Sequence, residues 1–501
     1  MADGYILAID QGTTGTTTII FDHDTNIIGR GYNPIRQIYP RPGLVEHDPV
    51  EIWNGTISTI QQAMSQAQIG YNELAGIGIT NQRETVVLWE RETGRPIGNA
   101  IVWQDRRTLA MCERLKAEGL EAELHHKTGL VLDPYFSATK VAWMLENVDG
   151  LKERAKKGEI LLGTIDSWLI WNLTGGKLHL TDMSNASRTL FYNIHELKWD
   201  EDILNYLGIP ISMLPDVRYS SFPFGEVQPG LLAPDSPAIP IAGVAGDQQA
   251  ALFGQAGFQK GELKITYGTG AFLMVNTGSE PVDSQNGLLT TIAWGYKNKV
   301  EYALEGSTFI AGAAVQWLRD ELKIIGNAAE TEQMAVSVPD NGGVYIVPAF
   351  VGLGAPYWDS RARGAIFGLT RGSNRNHLVR AALESIAYQT RDVVEAMKLD
   401  SNAEFPEIRV DGGAVANNFL MQFQADMMGI KVIRPKIIET TALGAAFLAG
   451  LTVNYWDSQS EIARLWKVDR EFESQIDEEK RNKFYRTWKR AVERSLDWED
   501  D

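Results

Sequence analysis

The side chains best suited to chemistry gather at turns. The first set is Asp10-Gln11-Gly12-Thr13-Thr14-Gly15-Thr16-Thr17, a carboxylate followed by a turn rich in hydroxyls and glycine. Backbone N–H groups, threonine hydroxyls and one carboxylate at a tight turn suit a phosphate with its magnesium ion, and the same composition also makes an ordinary turn. A second set is the adjacent pair Arg83-Glu84. A guanidinium fork beside a carboxylate can donate to and accept from neighbouring hydroxyls, as a polyol requires; otherwise such a pair is a surface ion pair. Asp247 follows a glycine-rich turn, where it is either a helix cap or a catalytic carboxylate in a cleft. Gly412-Gly413 stands between an apolar run and a helical one. Glycine there either lets a flat ligand reach the backbone or packs a tight strand-to-helix turn.

These turns need rigid elements on both sides. Residues 6–9 and 16–21 are apolar and β-rich, which predicts a β-hairpin carrying the Thr-rich turn at its tip. Residues 262–275 repeat the pattern of strand, Gly/Thr turn and strand, with Thr269 at the tip, and the echo points to a duplicated architecture whose second half starts near Phe258. Asp48, Pro49 and Glu51 form a helix start, and Ile52, Trp53, Ile57, Ile60 and Met64 continue it as a one-sided apolar stripe. Residues 77–89 and 100–107, joined by a turn at 92–96, are expected to pair as a hairpin, with Arg83 and Glu84 in or beside it and Trp103 near a strand end. Residues 239–254 read as strand, turn and helix, as do residues 407–421. Residues 306–318 are expected to be one helix, placing Gly312 and Gln316 on the same face. Phe484, Trp488, Val492 and Leu496 recur every fourth residue, which predicts a docking helix over about 472–498.

Length and composition narrow the class. A chain of 501 residues exceeds one simple core, and its apolar and aromatic content is that of a folded protein. The net charge of −17, from 47 basic and 64 acidic side chains, disfavours nucleic acid as the main partner. The single cysteine, Cys112, allows neither an intrachain disulfide nor a cysteine-based metal site and fits a reducing compartment. The N-terminal residues show no leader pattern, and the Ala/Gly-rich stretch 442–453 is too short to span a bilayer, so a cytoplasmic, non-membrane protein is expected. Neither a Walker loop nor a protein-kinase glycine loop with its Asp-Phe-Gly partner is present.

A phosphate-type hairpin in each half, followed by a strand–Gly-Gly–helix unit, resembles the ATPase superfamily of actin, Hsp70 chaperones and sugar kinases. Within it, Tyr135-Phe136-Ser137-Ala138-Thr139-Lys140 and the stretch from Gly352-Leu353-Gly354-Ala355-Pro356-Tyr357-Trp358 to Gly368-Leu369-Thr370-Arg371-Gly372 resemble the two signatures of the FGGY carbohydrate kinases. Thr80-Asn81-Gln82-Arg83-Glu84, Ile101-Val102-Trp103-Gln104, Gly246-Asp247-Gln248-Gln249 and residues 410–418 resemble the branch of that family that phosphorylates glycerol, and the likeness runs from about Tyr5 to about Leu451.

The resemblance implies an α/β fold of two RNase-H-like, actin-like ATPase domains, mixed sheets flanked by helices, with the active site in the interdomain cleft. Residues 1–257 would hold the glycerol and phosphate–magnesium site and residues 258–501 the nucleotide site. The implied reaction is ATP-dependent phosphorylation of glycerol to sn-glycerol 3-phosphate in glycerol catabolism. Arg83, Glu84, Tyr135, Asp247 and Gln248 would hold the hydroxyls, Trp103 and Phe272 would flank the carbon chain, and Asp247 would act as general base. Thr13, Thr14, Gly15, Thr17 and Thr269 would lie at the phosphates, and Gly312, Gln316, Gly413 and Asn417 would line the nucleotide site. Magnesium would be held by Asp10, through water, and by Asp247. A homodimer or homotetramer is implied by the same resemblance.

Two departures from the family pattern stand out. Thr17 occupies a position where many relatives carry an arginine beside the phosphates. The loop 222–240 contains no histidine of the kind some relatives phosphorylate, and a Gly-Gly-Lys-Gly-like effector loop is missing, so neither form of regulation is expected. The rival readings are an FGGY kinase for another polyol or a ketose, and a non-transferring ATPase of the actin or Hsp70 kind.

Overall fold

The computed structural model describes residues 4–499. Met1, Ala2 and Asp3, on which the leader expectation partly rests, lie outside the described residues, as do the last two.

The first half is built on a five-stranded sheet. The strands β1 (Tyr5–Gln11), β2 (Gly15–Phe21), β3 (Ile27–Pro34), β4 (Leu74–Asn81) and β5 (Ile241–Gly246) are arranged β5-β4-β1-β2-β3. β1 and β2 form the expected antiparallel hairpin, with Asp10 opposite Thr17, while β4 and β5 run parallel to β1. Parallel strands are covered on both faces and read as nearly continuous apolar runs, which Ile6-Leu7-Ala8-Ile9 and Ile77-Gly78-Ile79 are. One face carries α1 (Pro49–Ala67), started by the Asp48 side chain accepting from the Val50 N–H and by Pro49 in the first turn. Ile52, Ile60, Ala63 and Met64 are its buried stripe.

The second half repeats this topology. Its sheet contains β6 (Leu263–Tyr267), β7 (Ala271–Gly278), β8 (Leu289–Tyr296), β9 (Lys299–Thr308), β10 (Glu407–Asp411), β11 (Lys431–Pro435) and β12 (Val468–Phe472), in the order β8-β9-β7-β6-β10-β11-β12. β6 pairs antiparallel with β7 and parallel with β10, as β1 does with β2 and β4. The hairpin echo in the sequence therefore reflects a duplicated sheet. In the matched registers Asp10 faces Thr17 and Thr266 faces Phe272, so only the first hairpin carries a carboxylate at this place.

The halves interlock through two helices, α2 (Asp247–Gly254) and a later helix, Thr440–Thr452. That later helix follows β11 in the chain yet packs on the first sheet and on α2, burying Leu443, Phe447, Leu448 and Leu451. Each such side chain contributes roughly 1.5–3 kcal/mol. The approach is close: a Cβ on Gly444 would meet the Ala250 carbonyl oxygen at 1.8 Å, which explains the Ala/Gly-rich composition of this stretch. No helix among the described residues is long and apolar enough to cross a membrane.

Two local expectations hold only in part. The hairpin lies between the strands Val86–Glu90 and Ala100–Ile101, which pair antiparallel as expected, but its first strand does not extend back over β4, which belongs to a different sheet. The Arg83-Glu84 turn between them, with Glu84 at a φ of 61°, sends the chain out of the first sheet. Nor is residue range 306–318 one helix. Gly306, Ser307 and Thr308 extend β9 by pairing with Leu273, Phe272 and Ala271, and the helix, here α3 (Gly312–Asp320), begins later. The remaining labelled helices are α4 (Arg375–Ser401), α5 (Asn418–Met428), α6 (the Thr440–Thr452 helix already described) and α7 (Glu478–Glu493). Trp488, Ala491 and Val492 are the buried face of α7, and Phe472 closes β12 instead of opening that helix.

Candidate active site

Ligands of α/β sheets settle where parallel strands end, because loops there are free to carry side chains while the sheet holds them in place. β1, β4 and β5 all end at one place, delivering Asp10, Arg83-Glu84 and Asp247-Gln248. Arg83 Nε lies 3.0 Å from Asp247 Oδ1, so two stretches far apart in the sequence meet directly. Asp247 is the first residue of α2, its cap position being Gly246, and its Oδ1 also accepts the Gln248 N–H at 2.7 Å. It keeps 29 % of its side-chain surface exposed, whereas Arg83 and Glu84 keep about 2 % or less. A base must touch its substrate, and Asp247 is the open member of the group.

An aromatic wall stands beside these charges. Trp103 follows the strand Ala100–Ile101 and meets Tyr135 edge-on at 5.4 Å between ring centres and Phe272 at 6.5 Å. Phe272 comes from β7, so the wall is closed by the second half. Trp103 Nε1 donates to Thr13 Oγ1 at 2.8 Å, which ties the wall to the first hairpin tip and leaves the Thr13 hydroxyl its own proton to donate. Tyr135 is presented by a turn whose carbonyls are gathered by Lys140: its Nζ donates to Tyr135 O at 3.0 Å and Phe136 O at 3.3 Å, and also to Pro134 O. Burial lowers Lys140 to about 8, since no carboxylate bonds it.

At the first tip Gly12 N–H donates to Gly15 O at 2.9 Å, and Gln37 Nε2 holds Thr13 O at 2.9 Å. Thr14 is exposed, Gly15 is packed under Tyr32, and Thr17 lies on the strand beside Asp10. Burial, with the charges of Asp247 and Glu439 next, pushes Asp10 up to about 8. Crowded carboxylates of this kind favour a cation between them. No group of three or more His, Cys, Asp or Glu side chains converges among the described residues.

The second tip, Gly268–Gly270, is flanked by the remaining residues. Gly312 N–H donates to Gly268 O at 3.0 Å, and the Thr269 carbonyl accepts from Ala311 and Ala313, leaving the Thr269 side chain exposed. Gln316 is exposed one turn along α3. Gly412 and Gly413 separate here. Gly412, at a φ of 88°, would place a Cβ 2.3 Å from Tyr267 O and is needed for packing; Gly413 would place one in open space, where a ligand can reach. Asn417 caps α5, accepting from Leu420 N–H at 3.0 Å, and donates to Thr331 Oγ1 at 3.1 Å, so both ends of its amide are engaged with the protein.

Several residues of the site escape sequence reasoning. Glu305 on β9 and Arg188 are fully buried beside Arg83 and Glu84, and Lys264 on β6 donates to Gln248 Oε1 and, at 2.8 Å, to Thr266 Oγ1. For Glu305 and Lys264 the signal was a lone charge inside an apolar strand-like run, as in Tyr302-Ala303-Leu304-Glu305-Gly306; Arg188, in a turn, gave none. His47 and Gln82 brace the first tip from below, with burial lowering His47 to about 4.

This architecture defines a class, and comparison with known proteins agrees. The family described as FGGY carbohydrate kinases, N-terminal domain, matches residues 5–254, and its C-terminal domain matches residues 263–453. The chain belongs to the FGGY family of carbohydrate kinases. More particularly, it is 60 % identical to a glycerol kinase of Carboxydothermus hydrogenoformans, over 100 % of this chain and 99 % of that one. It is also 60 % identical to glycerol kinase 2 of Thermotoga maritima, over 99 % of each. Among solved structures, the glycerol kinase of Plasmodium falciparum with ADP is 40 % identical with a TM-score of 0.92, covering 98 % of both chains. A gluconate kinase of Lactobacillus acidophilus, 21 % identical at a TM-score of 0.87 over 98 % of this chain and 97 % of that one, shares the fold.

Proposed function

We propose that this protein transfers the γ-phosphoryl group of ATP to glycerol, giving ADP and sn-glycerol 3-phosphate. The observation that carries the reading is the meeting of Arg83, Glu84 and Asp247 beside the Trp103–Tyr135–Phe272 wall. A three-carbon polyol needs donors and acceptors for adjacent hydroxyls along one edge and apolar surface for its carbons along the other. Arg83 supplies donors and Glu84 an acceptor; Tyr135 and Gln248 border them, and Trp103 and Phe272 supply the apolar faces. The full-length likeness to glycerol kinases supports the same substrate.

In this mechanism Asp247 accepts the proton of the attacking hydroxyl as the new O–P bond forms, while Arg83 keeps the carboxylate oriented. Thr13, Thr14, Gly15 and Thr17 meet the phosphates from one side and Thr269 from the other; Gly312, Gln316, Gly413 and Asn417 border the nucleoside. Asp10 and Asp247 are the residues that would hold magnesium, whose chemistry is to neutralise charge on the transferring phosphate. The chain divides in this reading into a glycerol and phosphate unit, 1–257, and a nucleotide unit, 258–501. Closure between them excludes water, the competing acceptor. The reaction draws on cytoplasmic ATP, and we place the protein there.

The test is a panel of polyols, ketoses and sugar acids with ATP, the product being identified by phosphorus NMR. Glycerol is expected to give the highest kcat/KM; a ketose or a longer polyol surpassing it would reassign the substrate.

A further inference from the structure

The polyol-reading pair is not held by its own half alone. Glu305 stands on β9, in the second sheet, yet it makes the closest contacts to Arg83. Arg83 Nη1 and Nη2 both donate to the Glu305 carboxylate, the second at 3.1 Å, and Nη1 also reaches Gln249 Oε1 at 3.2 Å. The same Glu305 Oε1 accepts from Arg188 Nη2 at 2.9 Å, and Arg188 Nε donates to Glu84 Oε1 at 2.7 Å. A closed chain thus runs Asp247, Arg83, Glu305, Arg188, Glu84, and its middle members have no solvent exposure.

The chain leaves few groups free, and it decides which. Arg83 has five N–H bonds; Glu305 and Gln249 take those of Nη1 and one of Nη2, and Nε faces Asp247, so one Nη2 hydrogen remains to donate. Glu84 has one oxygen turned to Arg188 and the other without a donor among the described residues. One donor and one acceptor on neighbouring side chains are what two adjacent hydroxyls require. Their directions are fixed by groups that never face the cleft. A bidentate arginine–carboxylate contact sets the guanidinium plane as well as its place. Arg188 is itself seated on Phe136, with its guanidinium carbon 5.4 Å from the ring centre, and its Nη1 is buried without a hydrogen-bond partner. Arg188 therefore spends its directional bonds on Glu84 and Glu305 alone.

We propose that Glu305 and Arg188 are positioning residues for polyol recognition, Glu305 orienting Arg83 from the second half and Arg188 orienting Glu84. Glycerol affinity then depends on the second half before any nucleotide binds. The inference rests on the reading of Arg83 and Glu84 as the hydroxyl-binding pair. A purely structural role would hold the halves together without setting hydroxyl recognition, and the two roles separate by measurement.

The experiment is calorimetric titration of glycerol into the full-length protein without nucleotide, for the parent and for Glu305→Gln and Arg188→Lys. Steady-state kinetics and a 1,2-propanediol comparison accompany it. Glu305→Gln keeps the side-chain length and removes a charge; Arg188→Lys keeps the charge but removes the fork and one atom of reach. Glycerol affinity is expected to fall at least about tenfold in each, with the KM for ATP changed by less than about threefold. Discrimination between glycerol and 1,2-propanediol, which lacks one hydroxyl, is expected to shrink. If the parent binds no glycerol, the substrate reading itself is wrong. If the parent binds and both variants bind equally well, or lose only thermal stability, the positioning role is overturned. Should one variant fail to fold, the other decides; failure of both means a structural network and overturns the proposal.

Discussion

Asp247 is the most exposed of the charged residues at the ends of β4 and β5, and the mechanism depends on it. Asp247→Asn keeps the shape and an acceptor oxygen for Arg83 but removes the base. kcat is expected to fall by about 10²–10⁴-fold, with glycerol affinity by calorimetry within a few-fold of the parent; near-normal turnover would remove Asp247 from that role. A second residue tests the electrostatics away from the site. Asp166 accepts hydroxyl hydrogen bonds from Thr164 and Thr181 at 2.5 and 2.6 Å, and burial, aided by Asp182, pushes it up to about 7. A carboxyl raised in the folded state holds its proton there after the unfolded chain has lost it. Stability is therefore fully present below about pH 4 and declines as pH rises through 7. Asp166→Asn is expected to be more stable than the parent by ~1–3 kcal/mol at pH 8, with the gain shrinking at pH 5. Urea melts at the two pH values check this, and a gain no smaller at pH 5 would contradict it.

At the scale of elements, hairpins and glycine turns were the most legible features. The tip Gly12–Gly15 and its echo Gly268–Gly270 could be read because alternation breaks abruptly at Gly and Thr, and the echo proved to be a repeated sheet topology. Residues 77–89 were read as one arm of the hairpin that turns at 92–96 because the apolar runs on both sides of Arg83-Glu84 look alike, and only packing decides that they join different sheets. Glu305, Arg188 and Lys264 were illegible for a related reason: a charge inside a strand, or in a buried turn as Arg188 is, declares itself only when its partners, brought from elsewhere in the chain, are known. The double glycine was read as one feature and is two. Gly412→Ala is expected to destabilise the fold by ~2–4 kcal/mol, because it combines a left-handed backbone with a collision on Tyr267 O. Gly413→Ala should fold as the parent does and raise the KM for ATP at least about threefold, its methyl group filling space open to a ligand. Thermal melts and ATP kinetics on the pair check both, and reversed effects would refute the assignment.

For the whole molecule, the division of labour follows from duplication. Two similar sheets present two hairpin tips, but the carboxylate sits on one tip and the double glycine ends a strand of the other sheet, so the site is asymmetric between equal scaffolds. The exchange of α6 onto the first sheet and the reach of Glu305 to Arg83 make the halves mutually dependent. Long motifs in order along the chain made the family legible from sequence, whereas this interlocking rests on contacts between residues more than a hundred positions apart. The central claim is phosphoryl transfer to glycerol, as opposed to hydrolysis of ATP, and one measurement separates them: ADP formation by the full-length protein with magnesium and ATP, with and without glycerol. The account predicts ADP release that depends on glycerol and is matched mole for mole by glycerol 3-phosphate. ADP release at the same rate without glycerol would contradict it.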